Sequence, residues 1–252
     1  ACRGCISQRG RRKHKTAGET ARDNGYNVGV ACTTDFFDAT PSAFFVHSSS
    51  RANKKEIEED MLQFGFHTLF SGGQRILELI HSQPHRLGAV THKVGSLHSK
   101  GGNFVGSFRK TCTFGKAVLE ALVGLNKEKA PFFLLAEESS IDLASHQKNR
   151  SQVAKEMESF SHTLEVLLDF VEKPQNETTL VVLSDHATGG ARIMNRRDET
   201  GAYFQLTHDD HDGYLVPLFL AGHRAAHIDL PVLIDMPEVH SRILIPILTG
   251  EV

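Results

Sequence analysis

Residues 151–190 read SQVAKEMESFSHTLEVLLDFVEKPQNETTLVVLSDHATGG, and two periodicities meet in them. From Ser151 to Glu172 the apolar residues Val153, Met157, Phe160, Leu164, Leu167, Leu168 and Val171 step by three and four, the spacing of one helix face. Pro174 stops that helix. The β-branched run Thr178–Leu183 then reads as a strand that delivers Ser184, Asp185 and His186 at its carboxyl end. A helix feeding a strand with polar residues at its end is a building unit of a layered α/β domain.

The same alternation extends outward. Thr16–Asn24 reads as a helix ended by Gly25, Tyr26–Cys32 as a buried strand, and Ser42–His47 as a helix start with Pro41 at its first position. Phe66–Phe70 is a short strand, and Gly72-Gly73 is a turn before Gln74–His81. Periodicity fails between Ser82 and Ser107, then returns as the helix Lys116–Leu125 and the strand Phe132–Ala136. Val216–Ala221 is a further strand, and Pro246 would break a helix in the final segment. No internal repeat occurs, and no linker rich in Gly, Pro or Ser marks a boundary. The division expected is a non-matching arm over residues 1–15 and one domain over 16–252.

Composition narrows the functional classes. The 252 residues are 40% hydrophobic and 23% charged, as in an ordinary globular protein, and can build one sizeable core. A net charge of −2 gives no electrostatic footprint for nucleic acid. The basic run from Arg9 to Lys15 reads as a solvated arm. No apolar run reaches the ~18–20 residues of a membrane span, and no signal-peptide pattern is present. Cys2 and Cys5 form a C-x-x-C without the second pair of a zinc ribbon, so the four cysteines leave the compartment undecided. Fifteen histidines with no Trp direct attention to metal sites. The first residue, Ala1, is expected of a processed chain or a piece of a longer one.

The polar residues fall at strand ends. Glu137 follows one apolar strand, Asp185 and His186 another, and the stretch Asp38–Thr40 follows a third. Ligand sites in open α/β sheets gather beyond the carboxyl ends of strands, so these ends are expected to share one site. Singly, each residue has a plain structural reading. Asp142 and His146 fit a surface i,i+4 pair, and Asp185-His186 a turn or cap. His211 fits a polar loop and Arg51 a solvated charge. Jointly they offer the imidazoles and carboxylates that zinc accepts, together with the hydroxyl and carboxylate oxygens that a harder ion prefers.

Four stretches carry a family resemblance. Pro131-Phe-Phe-Leu-Leu-Ala-Glu137-Glu-Ser-Ser-Ile-Asp142-Leu-Ala-Ser-His146 resembles the alkaline phosphatase segment with a strand, a Glu, an Ile-Asp and a His four later. Val181-Val-Leu-Ser-Asp185-His186-Ala-Thr-Gly-Gly190 resembles its Asp-His-x-Thr-Gly-Gly motif. His211-Asp212-Gly-Tyr-Leu-Val-Pro is similar to its His-Thr-Gly-x-x-Val-Pro strand, with Asp212 in place of the usual Thr. Asp38-Ala-Thr40-Pro, running on to Arg51, is similar to its Asp-Ala-Thr-Pro segment and downstream phosphate-binding Arg. The four lie in family order over most of the chain.

The resemblance implies a three-layer α/β/α sandwich with a mostly parallel central sheet, N-terminally truncated. It implies a first zinc (Zn2+) held by Asp142, His146 and His211, and a second zinc held in part by Asp185 and His186. Thr40 and Glu137, with Asp38 directly or through water, would hold magnesium (Mg2+). Arg51 would clamp two oxygens of a phosphate monoester with its planar fork. Homodimers exported to the periplasm or outside the cell are the family's common form.

The chain departs from the family in two essentials, the strand-end Asp that bridges zinc and magnesium and the Thr-Asp-Ser segment bearing the nucleophile. Neither Ser7 nor any other serine has that setting. The chain alone is therefore expected to have little or no phosphatase activity. Leu143 stands where some relatives place a charged or imidazole side chain. Three further readings stay open: a truncated enzyme that folds poorly around a missing strand, a non-catalytic zinc- or phosphate-binding protein, and another member of the superfamily such as a phosphodiesterase.

Overall fold

The computed structural model describes residues 14–87, 93–96, 113–126, 130–197 and 203–252. They fall into two compact units. One runs to Glu137 and takes in Ile228–Val252 again, and the other is Glu138–His227. The basic run up to Lys13, and Cys2, Cys5 and Cys112, lie outside the described residues.

In the first unit, Thr16 caps α1 (Ala17–Asp23): its hydroxyl accepts the Glu19 N–H at 3.0 Å while Glu19 accepts the Thr16 N–H at 2.8 Å. Gly25, at φ 78°, turns the chain out of the helix. There follow β1 (Asn27–Cys32), α2 (Ala39–Phe45), α3 (Lys54–Gln63), β2 (Thr68–Ser71), α4 (Gly73–Ser82), β3 (Lys93–Ser96), α5 (Phe114–Leu125) and β4 (Phe132–Glu137). The strands form one parallel sheet in the order β3-β2-β1-β4. Every residue of β1 is buried, as both faces of a parallel strand are covered. Val28, Val30 and Cys32 face a core shared with α1 to α4, where the Phe45 ring stands edge-on to Phe66 at 4.8 Å. Full burial of one such ring contributes about 2–3 kcal/mol. Gly29 faces the other side, with Leu125 of α5 against it. Helices on both faces make three layers, the architecture expected from the family.

The second unit holds α6 (Ser140–His146), α7 (Arg150–Val171), β5 (Thr179–Leu183), β6 (Ala187–Thr188), β7 (Arg192–Ile193), β8 (Phe204–Gln205), β9 (His211–Asp212) and β10 (Leu218–Gly222). Asn149 caps α7 by accepting the Gln152 N–H at 3.1 Å. At the far end the Asn176 amide donates to the Phe170 carbonyl at 2.7 Å, and α7 ends at Val171, just ahead of Pro174, which opens a short 3-10 turn. β10 runs antiparallel to β5, whereas β6 with β9 and β7 with β8 make two-residue antiparallel ladders.

Back in the first unit come α8 (Met236–Val239) and α9 (Ile245–Thr249). Pro246 does not break this stretch. It sits in the first turn of α9, where its missing N–H is no loss, and a π-type segment at His240–Leu244 carries the chain into it. β3 is an addition to the sequence reading, because it lies in the stretch without periodicity. Among the described residues, no helix is long and apolar enough to cross a membrane.

Candidate metal centre

The second unit holds five of the nine residues singled out by sequence, Asp142, His146, Asp185, His186 and His211. Asp142 and His146 lie one turn apart on α6, so their side chains share a face, with His146 Nε2 3.4 Å from Asp142 Oδ2. His211 opens β9, and the β6–β9 ladder sets it opposite Thr188. Its Nε2 lies 3.0 Å from His146 Nε2 and 3.7 Å from Asp142 Oδ1. The His186 ring, just before β6, stacks on the His211 ring with centroids 3.6 Å apart. Asp142, His186 and His211 each offer a ligand atom within 4.8 Å of the others.

These separations suit zinc. Bonds of about 2.0–2.1 Å in a tetrahedral site put neighbouring donors about 3.3 Å apart. His146 Nε2 lies 3.0 Å from His211 Nε2 and 3.4 Å from Asp142 Oδ2, on either side of that value, while His211 Nε2 lies 3.7 Å from the other carboxylate oxygen, Oδ1. Protonation states agree. The Asp209 carbonyl, which can only accept, lies 2.5 Å from His146 Nδ1, so the proton is on Nδ1 and Nε2 offers its lone pair. Burial and the neighbouring His186 imidazole push the His211 pKa down, against a smaller opposing pull from Asp142, which favours the neutral ring that a metal requires.

The loop behind these residues is held by one that departs from the family pattern. Asp212, nearly enclosed, accepts the Gly190 N–H on Oδ2 at 2.7 Å and meets His208 Nε2 on Oδ1 at 2.8 Å. Gly190 sits at φ 58°, and a Cβ there would lie 2.2 Å from Thr207 Oγ1. Only glycine fits without displacement.

The remaining expected residues are placed as follows. Asp185, half-exposed, puts Oδ2 3.2 Å from His186 Nε2, so the pair assigned to a second zinc is adjacent. In the first unit, Asp38 caps α2 through the Ala39 N–H, and its Oδ1 also meets Arg51 Nη2 and Lys54 Nζ, each at 3.1 Å. Burial opposes ionisation of Asp38, but Lys54, the Ala39 N–H and Arg51 outweigh it and hold the carboxyl below its usual range. Thr40 lies in the first turn of α2. Glu137 ends β4, rather than following it, in register with Cys32, whose thiol burial and the Glu137 charge push well up. Leu143 is half-exposed on α6. Sequence reading missed Thr188, the Asp209 carbonyl and Lys54; a threonine inside the Asp-His-x-Thr-Gly-Gly stretch was the one signal at hand.

The family model for alkaline phosphatase matches residues 5–74 and 109–227. The chain belongs to the alkaline phosphatase family. Its curated relatives include alkaline phosphatase 3 of Bacillus subtilis (strain 168), 28% identical over an alignment of 203 positions that covers 71% of this chain and 44% of that protein. The repressible alkaline phosphatase of Saccharomyces cerevisiae is 25% identical over an alignment of 239 positions that covers 74% of this chain and 42% of that protein. The chain thus spans less than half the length of these relatives. Among solved structures, the alkaline phosphatase of the Antarctic bacterium TAB5 superposes with a TM-score of 0.67 at 24% identity, covering 84% of this chain and 69% of that one. A cold-active alkaline phosphatase of Shewanella gives 0.71 at 21% identity, covering 85% and 74%. These likenesses establish the alkaline-phosphatase-like α/β fold.

Proposed function

We propose that this chain carries the metal-holding and phosphate-clamping residues of a metal-dependent phosphomonoesterase that works through a phosphoserine. The observation that most supports this is the meeting of Asp142, His146 and His211, named from two separate motifs, with His146 Nε2 3.0 Å from His211 Nε2 and 3.4 Å from Asp142 Oδ2. Those three are assigned the first zinc, and Asp185 with His186 part of the second. Asp38, Thr40 and Glu137 are assigned magnesium; a TAB5 alkaline phosphatase variant is described with Mg bound in its M3 site, which supports reserving an oxygen-rich set for that ion. Arg51 is assigned two phosphate oxygens, once it exchanges its contact with Asp38 for them.

Zinc, when bound, supplies Lewis-acid stabilisation of developing negative charge and acidifies water. The chain's own part is orientation. His146 is held by the Asp209 carbonyl, burial biases His211 towards its neutral form, and Asp142 is fixed on the same helix face as His146. No serine among the 252 residues has the family's nucleophile setting, so turnover by this chain alone is assigned as little or none.

The test is a zinc titration of the metal-stripped chain, with turnover of an aryl phosphate followed in parallel. At least one zinc should bind, and Asp142→Asn and His211→Asn should each weaken it by more than about 100-fold, beyond the loss from an outer partner. Absence of zinc binding would overturn the metal centre. Normal aryl phosphate turnover would overturn the assignment of inactivity.

A further inference from the structure

Thr188 lies between two ligands that the family motifs assign to different zinc positions. Its hydroxyl oxygen is 2.6 Å from Asp142 Oδ1 and 3.2 Å from His186 Nδ1. A hydroxyl has one proton to give and lone pairs to accept with, and a carboxylate can only accept. The hydroxyl proton is therefore committed to Asp142. The contact with His186 can then be made in one sense only, with His186 Nδ1–H donating to Thr188. That places the lone pair of the neutral His186 ring on Nε2, against the pull of the half-exposed Asp185 carboxylate, whose Oδ2 at 3.2 Å would draw the proton to Nε2 instead. It also engages Oδ1 of Asp142 and leaves Oδ2 as the oxygen facing His146, at 3.4 Å.

The threonine is itself immobilised. It forms β6 with Ala187 and pairs with His211 across the ladder. The next residue, Gly189, donates its N–H to the Asp210 carbonyl at 2.9 Å. We propose that Thr188 is a positioning residue that sets the His186 tautomer and the Asp142 carboxylate together, so that one hydroxyl prepares ligands of both metal positions. This rests on the metal-centre reading given above. Serine can replace the threonine, because it keeps the hydroxyl. Valine cannot, although it has nearly the same shape.

The test uses the metal-stripped 252-residue chain with zinc alone as probe, at about pH 8, where free imidazole is neutral. Two quantities are read: zinc affinity by competition with a chromophoric chelator, and the His186 tautomer without metal from long-range proton–nitrogen NMR correlations. Wild type and Thr188→Ser should carry the His186 proton on Nδ1 and bind zinc within about threefold of each other, whereas Thr188→Val should lose that tautomer preference and about 10–100-fold in affinity. Wild-type zinc affinity in Thr188→Val, or a wild-type His186 protonated on Nε2, would overturn the proposal. If wild type binds no zinc, the metal-centre reading fails, and the tautomer comparison alone decides the role of Thr188. If Thr188→Val does not fold, the wild-type tautomer and the serine variant decide it.

Discussion

Asp212 holds the Gly190 amide 2.7 Å from its Oδ2, tying the strand that carries His211 to the loop that follows Thr188. The family's usual threonine has one hydroxyl at this position, whereas the carboxylate also reaches His208 at 2.8 Å. Asp212→Ala leaves the Gly190 N–H without this acceptor and is expected to cost about 1–3 kcal/mol. In a domain of this size that lowers the melting temperature by roughly 2–12 °C. Asp212→Thr should recover part of the loss. Thermal melts followed by circular dichroism give the order; equal melting temperatures for all three chains would show that the clamp contributes nothing.

Gly190→Ala tests the same loop from its other side. The added Cβ meets Thr207 Oγ1 at 2.2 Å and His208 Nε2 at 2.7 Å, at a backbone φ of 58°. The left-handed conformation alone costs an alanine about 1–2 kcal/mol. Loss of both stability and zinc affinity is expected, measured by melting and chelator competition, whereas Gly213→Ala, with nothing within 4 Å, should leave both nearly unchanged.

Acid sensitivity should concentrate at Glu58. Burial opposes its ionisation, yet Arg75, bonded at 2.8 and 2.9 Å, and Arg86, at 2.8 Å, outweigh that and hold its carboxyl below the ordinary 4.5. The folded group is thus the stronger acid. As pH falls below about 4.5 the unfolded chain takes up more protons, and the stabilisation is lost on passing through the folded pKa. Glu58→Gln should cost about 1–3 kcal/mol at neutral pH and flatten this acid limb. Urea midpoints at pH values on either side of 4.5 would show it, and parallel curves for the two chains would refute it.

Arg51 is the fourth target. Its Nη2 is 3.1 Å from Asp38 Oδ1, so anion binding there competes with an internal partner. Arg51→Lys replaces a planar fork by a point charge and should weaken inorganic phosphate by about tenfold, or roughly 1.4 kcal/mol. Asp38→Asn should change affinity in the opposite direction. Calorimetric titration with phosphate measures both.

Long periodic elements were legible in the sequence. The extent of α7 followed from its three-and-four spacing and β1 from its apolar run, but the covered face of α7 did not: Met157 and Leu168 of the expected stripe are exposed, whereas Glu156 and Thr163 are buried. β3 was not legible: a four-residue strand is too short to show a period. Pro246 misled because a proline rule is about helix interiors, whereas this residue enters at a first turn. The residues proposed as metal ligands were named through motif order, yet their arrangement depends on contacts with no local signature. The Asp209 carbonyl on His146 and the Asp142–Thr188–His186 chain join residues 46 to 63 positions apart or hidden within a motif's variable places. Lys54 at Asp38 is similar, since one lysine in a charged helix looks like any other.

The second unit has few means of cohesion of its own. Its ladders β6–β9 and β7–β8 are two residues long, and among its described residues only Ala144, Val153 and Val171 are buried hydrophobics. An ion seated on Asp142, His146 and His211 would staple α6 to the β9 hairpin, so its binding free energy would also be folding free energy. At a free zinc concentration 100 times the dissociation constant, that linkage amounts to about 2.7 kcal/mol. Metal supply would then govern how long this unit survives proteases and heat, quite apart from any chemistry done at the site.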